Sequence, residues 1–397
     1  MKKITLFLAA VCAVYCLQAQ TTATKEKMRQ LITENYALAD SQYRYMMTLT
    51  PADKMPQSYD EKSNKFIAYN IQWWCTGFYP GTLWYIFEQT RDEVIKKEAE
   101  RALRVIEPNQ TFTGNHDLGF MMYCSFGNAY RITKNEKYRD IIFRSSQSLA
   151  TRYRPSIKAI QSWDSSMRFK CPVIIDNMMN LEMLCWTTQQ GGKKTYWDMA
   201  VNHANTTLKN HFRSDYSSFH VIDYNLQTGG VYRKATWQGG SDCSPWARGQ
   251  GWGLYGYVMM YRFTKDKAYL NQARHIAQFI LHHPNLPADK IPYWDFNAPL
   301  IPLAKRDASA GSLIASALLE LGQYTSGEER TAYISNAEVM LNSLSSETYR
   351  AKPGENGGFL LKHSTGALPQ NSEIDVPLIY ADYYFLEALK RYKDWYL

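Results

Sequence analysis

The sequence predicts an all-α chain folded as an (α/α)6 barrel, a toroid of six helical hairpins, and three observations carry that prediction. Apolar residues recur at helical spacing in twelve stretches, near 25–48, 76–89, 91–104, 117–133, 135–150, 174–189, 193–211, 246–263, 266–280, 307–323, 327–347 and 376–395. Every second stretch is rich in Gly, Ala, Met and aromatic residues and poor in charge, whereas "KNEKYRDIIFRSSQSLA" and "EERTAYISNAEVMLNSLSS" carry a charged face. A helix that is apolar all round is buried and an amphipathic one is peripheral, so the alternation describes an inner barrel wrapped by an outer ring. Strand-like alternation is confined to short pieces, "FHVIDYN" and "GGVYRKATW", which read as a hairpin in a loop.

In chain order, Lys2-Lys3, the apolar run "ITLFLAAVCAVYC" and the exit "LQAQ" read as a secretory leader over residues 1–19, so the protein is expected to be exported, to the periplasm. Cys16 leaves lipidation of the leader open as an alternative. The stretch at 25–48 then opens the outer ring. Inner stretches begin near Thr76, Asp117, Asp176, Trp246, Asp307 and Asp375, each followed by an amphipathic partner until the last. No Pro/Gly/Ser-rich linker divides the chain, so residues 20–397 are expected to form one barrel domain.

Composition excludes several function classes. A net charge of +8 without Lys/Arg blocks is not a nucleic-acid footprint, and it suits a small acidic partner. Beyond the leader no apolar run approaches the roughly 20 residues a membrane span needs, so no membrane contact of the mature chain is expected. Cys75, Cys124, Cys171, Cys185 and Cys243 lack paired spacing, which argues against a zinc site or a disulfide framework and for buried thiols. No metal and no cofactor are expected. The 11 Trp and 29 Tyr are numerous enough to supply ring-stacking surfaces as well as core.

In such a toroid all inner helices run the same way, so the residues at their starts collect at one rim. Asp117, Asp176, Arg248, Asp307 and Asp375 are the polar residues placed there. An aspartate at a helix start is also what the exposed N–H groups and the helix dipole favour, so capping and chemistry both remain open for each acid. The segment "GGVYRKATWQGGSDCSPWARGQGW" (229–252) adds Arg233, Trp237, Gln238, Trp246, Arg248 and Trp252 to the same rim. An arginine fork matches a carboxylate and indole faces stack on sugar rings. Two carboxylates beside such a surface suit glycosidic-bond hydrolysis with one acid and one base.

The stretches "WWCTGFYPGTLWYIFEQT" (73–90), "NHDLGF" (115–120), "IIDNMMNL" (174–181), "RKATWQGG", "SPWARGQGW", "RDASAGSLIASALLEL" (306–321) and "YADYYFLEAL" (380–389) together resemble glycoside hydrolase family 88, the unsaturated glucuronyl hydrolases. The resemblance covers nearly the whole mature chain. It implies an (α/α)6-barrel catalytic domain that removes a 4,5-unsaturated uronate from lyase-generated disaccharides by hydrating the vinyl ether. On that resemblance Asp176 would protonate the double bond and activate water, and Asp117 would steady the sugar. His220, Gln238, Arg248 and Trp252 would hold the uronate, with His116 and Trp163 lining the pocket. Taken singly, His116 and His220 could equally be structural.

Family members that prefer sulfated disaccharides carry a Ser-x-x-Ser-x-Lys cluster where this chain has Ala367, Gln370 and Ser372, so a strong preference for sulfate at that place is not implied. Lys352 and Lys362 are the candidates to substitute for the missing lysine. Rival readings are an unsaturated rhamnogalacturonyl hydrolase, a sugar epimerase on the same barrel and a non-catalytic glycan-binding protein. Oligomeric state is not legible in the sequence.

Overall fold

The computed structural model of the protein describes residues 2–397, with side chains from 23 onward; the expected leader lies outside the residues whose side chains are described. Six hairpins follow one another: α1 (Lys2–Leu49) with α2 (Phe78–Thr90), α3 (Glu93–Ile106) with α4 (Asn128–Thr133), α5 (Glu136–Ala150) with α6 (Leu181–Gln189), α7 (Lys194–Asn210) with α8 (Ala247–Thr264), α9 (Lys267–His282) with α10 (Ala308–Gln323), and α11 (Gly327–Leu344) with α12 (Ile379–Tyr396). Two inner helices have irregular entrances. A π-helical segment, Gly119–Gly127, leads into α4, and a 3-10 segment, Ile175–Asn180, leads into α6.

Composition decides which helices are inside. Every residue of α8 from Ala247 to Met260 is buried, as is every residue of α10 from Ala308 to Gly322. In α5, by contrast, Ile141, Ile142, Ser145, Ser146, Ser148 and Leu149 form one buried stripe. The inner ring closes from α2 through the π segment, α6, α8, α10 and α12 back to α2. Met121, Met122, Met178 and Met179 are core residues within it.

Capping divides the helices in a way the sequence did not. The outer helices α3, α5 and α9 are capped by the side chains of Asp92, Asn135 and Asp266, whereas among the inner helices only α10 has such a cap, Asp307.

Short strands decorate the rim where the inner helices begin. The predicted hairpin is present as β6 (Val221–Tyr224) and β7 (Val231–Ala235), and β5 (Pro172–Ile174) joins it with Val173 opposite Ile222. Three further antiparallel pairings were not predicted: β1 (Met55–Asp60) with β2 (Lys65–Tyr69), β3 (Tyr153–Arg154) with β4 (Ala159–Ile160), and β8 (Ser364–Ala367) with β9 (Ser372–Val376). None reads as alternation in sequence. Tertiary contact holds them, as in the Ser58 to Leu378 bridge, which ties β1 to the entrance of α12.

At the opposite end Arg262 lies between Glu182 (2.5 Å) and Glu320 (2.7 Å), and Arg391 also reaches Glu320 (3.1 Å). Cys75, Cys171 and Cys185 are buried free thiols, Cys124 is half-buried and Cys243 is exposed on the turn before α8, so burial does not extend to every cysteine as expected. Among the described residues no helix is long and apolar enough to cross a membrane.

Candidate active site

A cleft of about 400 Å³ opens at the strand-decorated rim. Its walls include Trp73, Trp74, Trp163 and Trp237, and its polar lining includes His116, Asp117, Gln238 and Glu373. Asp176 lies beneath, with 12% of its side chain exposed against 15% for Asp117.

Neither acid caps a helix. The π segment that follows Asp117 begins at Gly119, its N-cap position Leu118 makes no side-chain cap, and the 3-10 segment holding Asp176 also has none. Asp117 is placed instead by its backbone: its N–H donates to Asn115 Oδ1 (2.9 Å), its carbonyl accepts from Met121 (2.9 Å), and the neighbouring His116 N–H donates to Ser162 (2.9 Å). Asp176 is placed by the end of β5, where the Ile175 N–H donates to the His220 carbonyl (3.0 Å). Its Oδ2 is buried without a hydrogen-bond partner.

The two motifs lock together through Asn180 and Gly119. Asn180 Oδ1 accepts the Phe120 N–H (3.0 Å) and its Nδ2 lies 3.5 Å from His116 Nδ1. A Cβ at Gly119 would meet both the Asn180 backbone and its amide at 2.5 Å, so only glycine admits the approach.

Electrostatics follow from burial. Asp117 is pushed up to about 8 by desolvation and by the neighbouring Asp176. Desolvation pushes Asp176 up to about 7, against the Arg248 charge, its own N–H and the Trp252 indole, which favour ionisation. His116, 3.3 Å from Asp117 through Nε2, falls to about 3 because burial disfavours its cation. His220 is held neutral for the same reason, and its tautomer is fixed by structure. Its Nδ1 accepts the backbone N–H groups of Trp237 (3.1 Å) and Gln238 (3.0 Å), so Nε2 carries the proton and faces Asp176 Oδ2 at 3.6 Å.

The sequence-predicted residues therefore gather in one place, with roles that differ in part from expectation. His116, Asp117, Trp163 and Gln238 line the cleft. Gln238 also donates to the Gly366 carbonyl (3.1 Å), which ties the rim loop to β8.

Arg248 is buried and its fork faces protein: Nη1 donates to Asp307 (2.9 Å) and the Thr365 carbonyl (2.8 Å), and Nη2 to the Gly366 carbonyl (2.6 Å). It contributes a positive charge beneath the cleft while holding the rim together. Trp252, expected to hold the uronate, is fully buried against Phe120 (5.0 Å) and Tyr384 (5.5 Å), while its indole Nε1 has no partner within the protein. The rings available for stacking are those of Trp73, Trp74, Trp163 and Trp237.

Of the other two rim acids, Asp307 takes the capping role that the sequence left open, and Asp375 falls before its helix rather than at its start. Asp307 is wholly buried, capping α10 through Ser309 (3.0 Å) and pairing with Arg248. Asp375 belongs to β9, before α12 begins at Ile379, and is bound by Lys305 and His363, both at 2.7 Å. Lys352 and Lys362 do not line the cleft; Lys362 Nζ donates to the Glu347 carbonyl (2.8 Å).

Sequence reasoning missed Trp73, Trp74, Glu373 and Tyr380. Trp73, Trp74 and Tyr380 lay inside quoted motifs and were readable as candidates. Glu373 carried no local signal, because the hairpin that turns it inward was itself unpredicted.

No family model matches the chain. Among characterised relatives it is 44% identical over 373 residues to an unsaturated glucuronyl hydrolase of Formosa agariphila, covering 93% of this chain and 92% of that protein. It is 30% identical over 346 residues to an unsaturated chondroitin disaccharide hydrolase of Streptococcus pyogenes serotype M1, covering 84% of this chain and 85% of that one. Among solved structures it is similar to a crystal structure described as an unsaturated glucuronyl hydrolase specific for heparin, with a TM-score of 0.89 and 46% identity over 92% of this chain and 97% of the other.

Proposed function

Because the chain belongs to glycoside hydrolase family 88, the unsaturated glucuronyl hydrolases, we propose that it removes the 4,5-unsaturated uronate from the non-reducing end of small lyase-generated glycosaminoglycan disaccharides. The observation that carries this reading is the pair of uncapping carboxylates, Asp117 and Asp176, in one cleft with burial raising both towards neutrality. A general acid works best when its pKa lies near the operating pH.

In this reading Asp176 gives its proton to C4 of the double bond. Positive charge then develops at C5 and on the ring oxygen, where Asp176, ionised by the loss of its proton, stabilises it. The ionised Asp176 takes a proton from water as the water oxygen bonds to C5. The resulting hemiketal opens and releases the partner sugar, so one water is consumed and no group stays on the enzyme. Asp117 accepts hydrogen bonds from sugar hydroxyls. His220 Nε2–H, uncommitted within the protein, donates to the substrate beside Asp176. Trp73 and Trp163 offer ring faces to the sugars.

The test separates hydration from ordinary glycoside cleavage. Unsaturated and saturated uronides of identical linkage are incubated in isotope-labelled water and the products analysed by mass spectrometry. Hydration leaves the saturated sugar intact and places label on C5 of the uronate; cleavage of the saturated sugar, or label at the anomeric carbon, sinks the reading. A panel of unsaturated disaccharides from chondroitin, hyaluronan, heparin and pectin, followed by loss of double-bond absorbance, distinguishes glycosaminoglycan from pectin fragments as the source.

A further inference from the structure

The outer helix α7 packs on β4 and on the 3-10 segment that carries Asp176. His203, Thr207 and the C-cap residue His211 follow one another along it at four-residue spacing, so they share one face. All three are buried, and none lines the cleft. His203 Nε2, Thr207 Oγ1 and His211 Nε2 have no hydrogen-bond partner within the protein, and neither does Oδ1 of the buried Asn177.

The backbone fixes what each of these atoms offers. The Ile160 N–H donates to His203 Nδ1 (3.0 Å), which puts the histidine proton on Nε2. His211 takes the opposite tautomer: its Nδ1 faces the Phe219 carbonyl (3.3 Å), so Nδ1 carries the proton and Nε2 keeps a lone pair. Burial holds both rings neutral, each at about 3, and His203 is near enough to His211 to disfavour its cation further. Asn177 gives its Nδ2 to the Ile160 carbonyl (2.7 Å), and its Oδ1, without a hydrogen bond of its own, is close enough to favour the His116 cation. The set is therefore one ring donor, one hydroxyl that both gives and accepts, and two acceptors.

Buried atoms matched in this way are where proteins hold structural water, since each is costly to leave unpaired. The set also ties into both members of the catalytic pair. Asn177 follows Asp176 on the 3-10 segment and shares Ile160 with His203. At the other end Phe219, the residue before His220, is held twice by His211, its N–H donating to the His211 carbonyl (2.7 Å) and its own carbonyl accepting from the ring.

Resting on the hydrolase reading above, we propose that His203, Thr207, His211 and Asn177 bind a short file of buried water, and that through it they act as positioning residues that hold Asp176 and His220 at their working separation.

The test joins a crystal structure at a resolution that shows ordered water with two variants at Thr207. Water is expected within about 3.2 Å of His203 Nε2, Thr207 Oγ1 and His211 Nε2. Thr207→Val keeps the shape and loses the hydroxyl, so its melting temperature should fall, and its kcat should drop about three- to tenfold with KM within about twofold of wild type. Thr207→Ser keeps the hydroxyl and should hold kcat within about twofold of wild type. A dry site gives the reverse for valine, a raised melting temperature, because an unpaired buried hydroxyl is then removed. Water missing from those atoms, or a raised melting temperature in Thr207→Val, overturns the water site. Water in place with an unchanged kcat in Thr207→Val, or a loss that Thr207→Ser shares, overturns the positioning role while leaving the hydrolase reading intact. A wild type that acts on no unsaturated disaccharide overturns the hydrolase reading and the positioning role with it, and the crystal structure and melting temperatures still decide the water site.

Discussion

His220 Nε2 faces Asp176 Oδ2 at 3.6 Å, and neither atom has a hydrogen-bond partner within the protein. The two backbone N–H groups on Nδ1 leave the histidine proton only one place to be, on the cleft side. A buried donor and a buried acceptor left facing one another, each costly to leave unpaired, mark where a bound molecule completes the bonding.

Substituting His220 in two ways separates its two nitrogens. In His220→Asn the amide oxygen takes the place of Nδ1 and still accepts the Trp237 and Gln238 N–H groups, while the donor towards Asp176 is lost. Turnover should fall about 10–100-fold with the melting temperature nearly unchanged. In His220→Gln the loop anchor is lost instead, and the melting temperature should fall as well. A His220→Asn protein with wild-type kcat would leave His220 with the loop alone.

Asp176→Asn should fold normally, by circular dichroism, and lose about 10²–10⁴-fold in turnover, because an amide neither gives the proton to carbon nor takes one from water. Near-normal activity in the folded variant would place the general acid elsewhere.

The raised values of the acid pair make stability fall with rising pH. Above the unfolded aspartate value of 3.8 the unfolded chain releases protons that the folded site retains up to about 7 and about 8, so each unit of pH in that window favours unfolding. Asp117→Asn removes one such group. Its melting temperature should overtake that of wild type progressively between pH 5 and pH 8, by the equivalent of roughly 1–3 kcal/mol at the upper end. A difference that stays constant across that range would show that Asp117 is not held protonated by the fold. Activity of the wild type should decline as pH rises through the same upper values, since the general acid is then ionised.

Arg248→Lys should destabilise the protein rather than simply raise KM. The planar fork joins Asp307, Thr365 and Gly366 across α8, α10 and β8, and an ammonium cannot span them. Breaking one side of a buried pair costs about 3–5 kcal/mol, and Asp307→Asn should cost a comparable amount. Because both remove one interaction, the double variant should lose much less than the two single losses together. An Arg248→Lys protein of unchanged melting temperature and raised KM would return the fork to substrate binding.

The alternation of charge-poor and amphipathic helices was legible in the sequence because burial all round a helix leaves little place for charge: in the buried runs of α8 and α10 the charged residues are Arg248 and Glu320, and both are paired. The convergence of Asp117 and Asp176 with the Gln238 loop was legible for a related reason, since inner helices of one direction must start at one rim, whereas His220 was placed beside them only by the resemblance to the family. What the sequence left open was what each side chain does on arrival. Asp117, Asp176 and Asp307 all stand near helix starts, yet only Asp307 caps one, because capping depends on backbone angles and on the irregular π and 3-10 entrances that local composition does not specify. Trp252 and Trp237 look alike in one stretch of sequence, yet the first lies inside α8 against Phe120 and Tyr384 while the second stands on the cleft. Arg248 turned to protein because Asp307, 59 positions away, and the carbonyls of β8 reach it first. Glu373 entered the cleft through a hairpin whose pairing is tertiary. Sequence by itself determined the helices, their order around the ring and the rim on which the acids gather. The tertiary structure decided protonation, tautomer and which polar groups remain uncommitted, because those depend on the distances and desolvation created when segments remote in sequence close on one another.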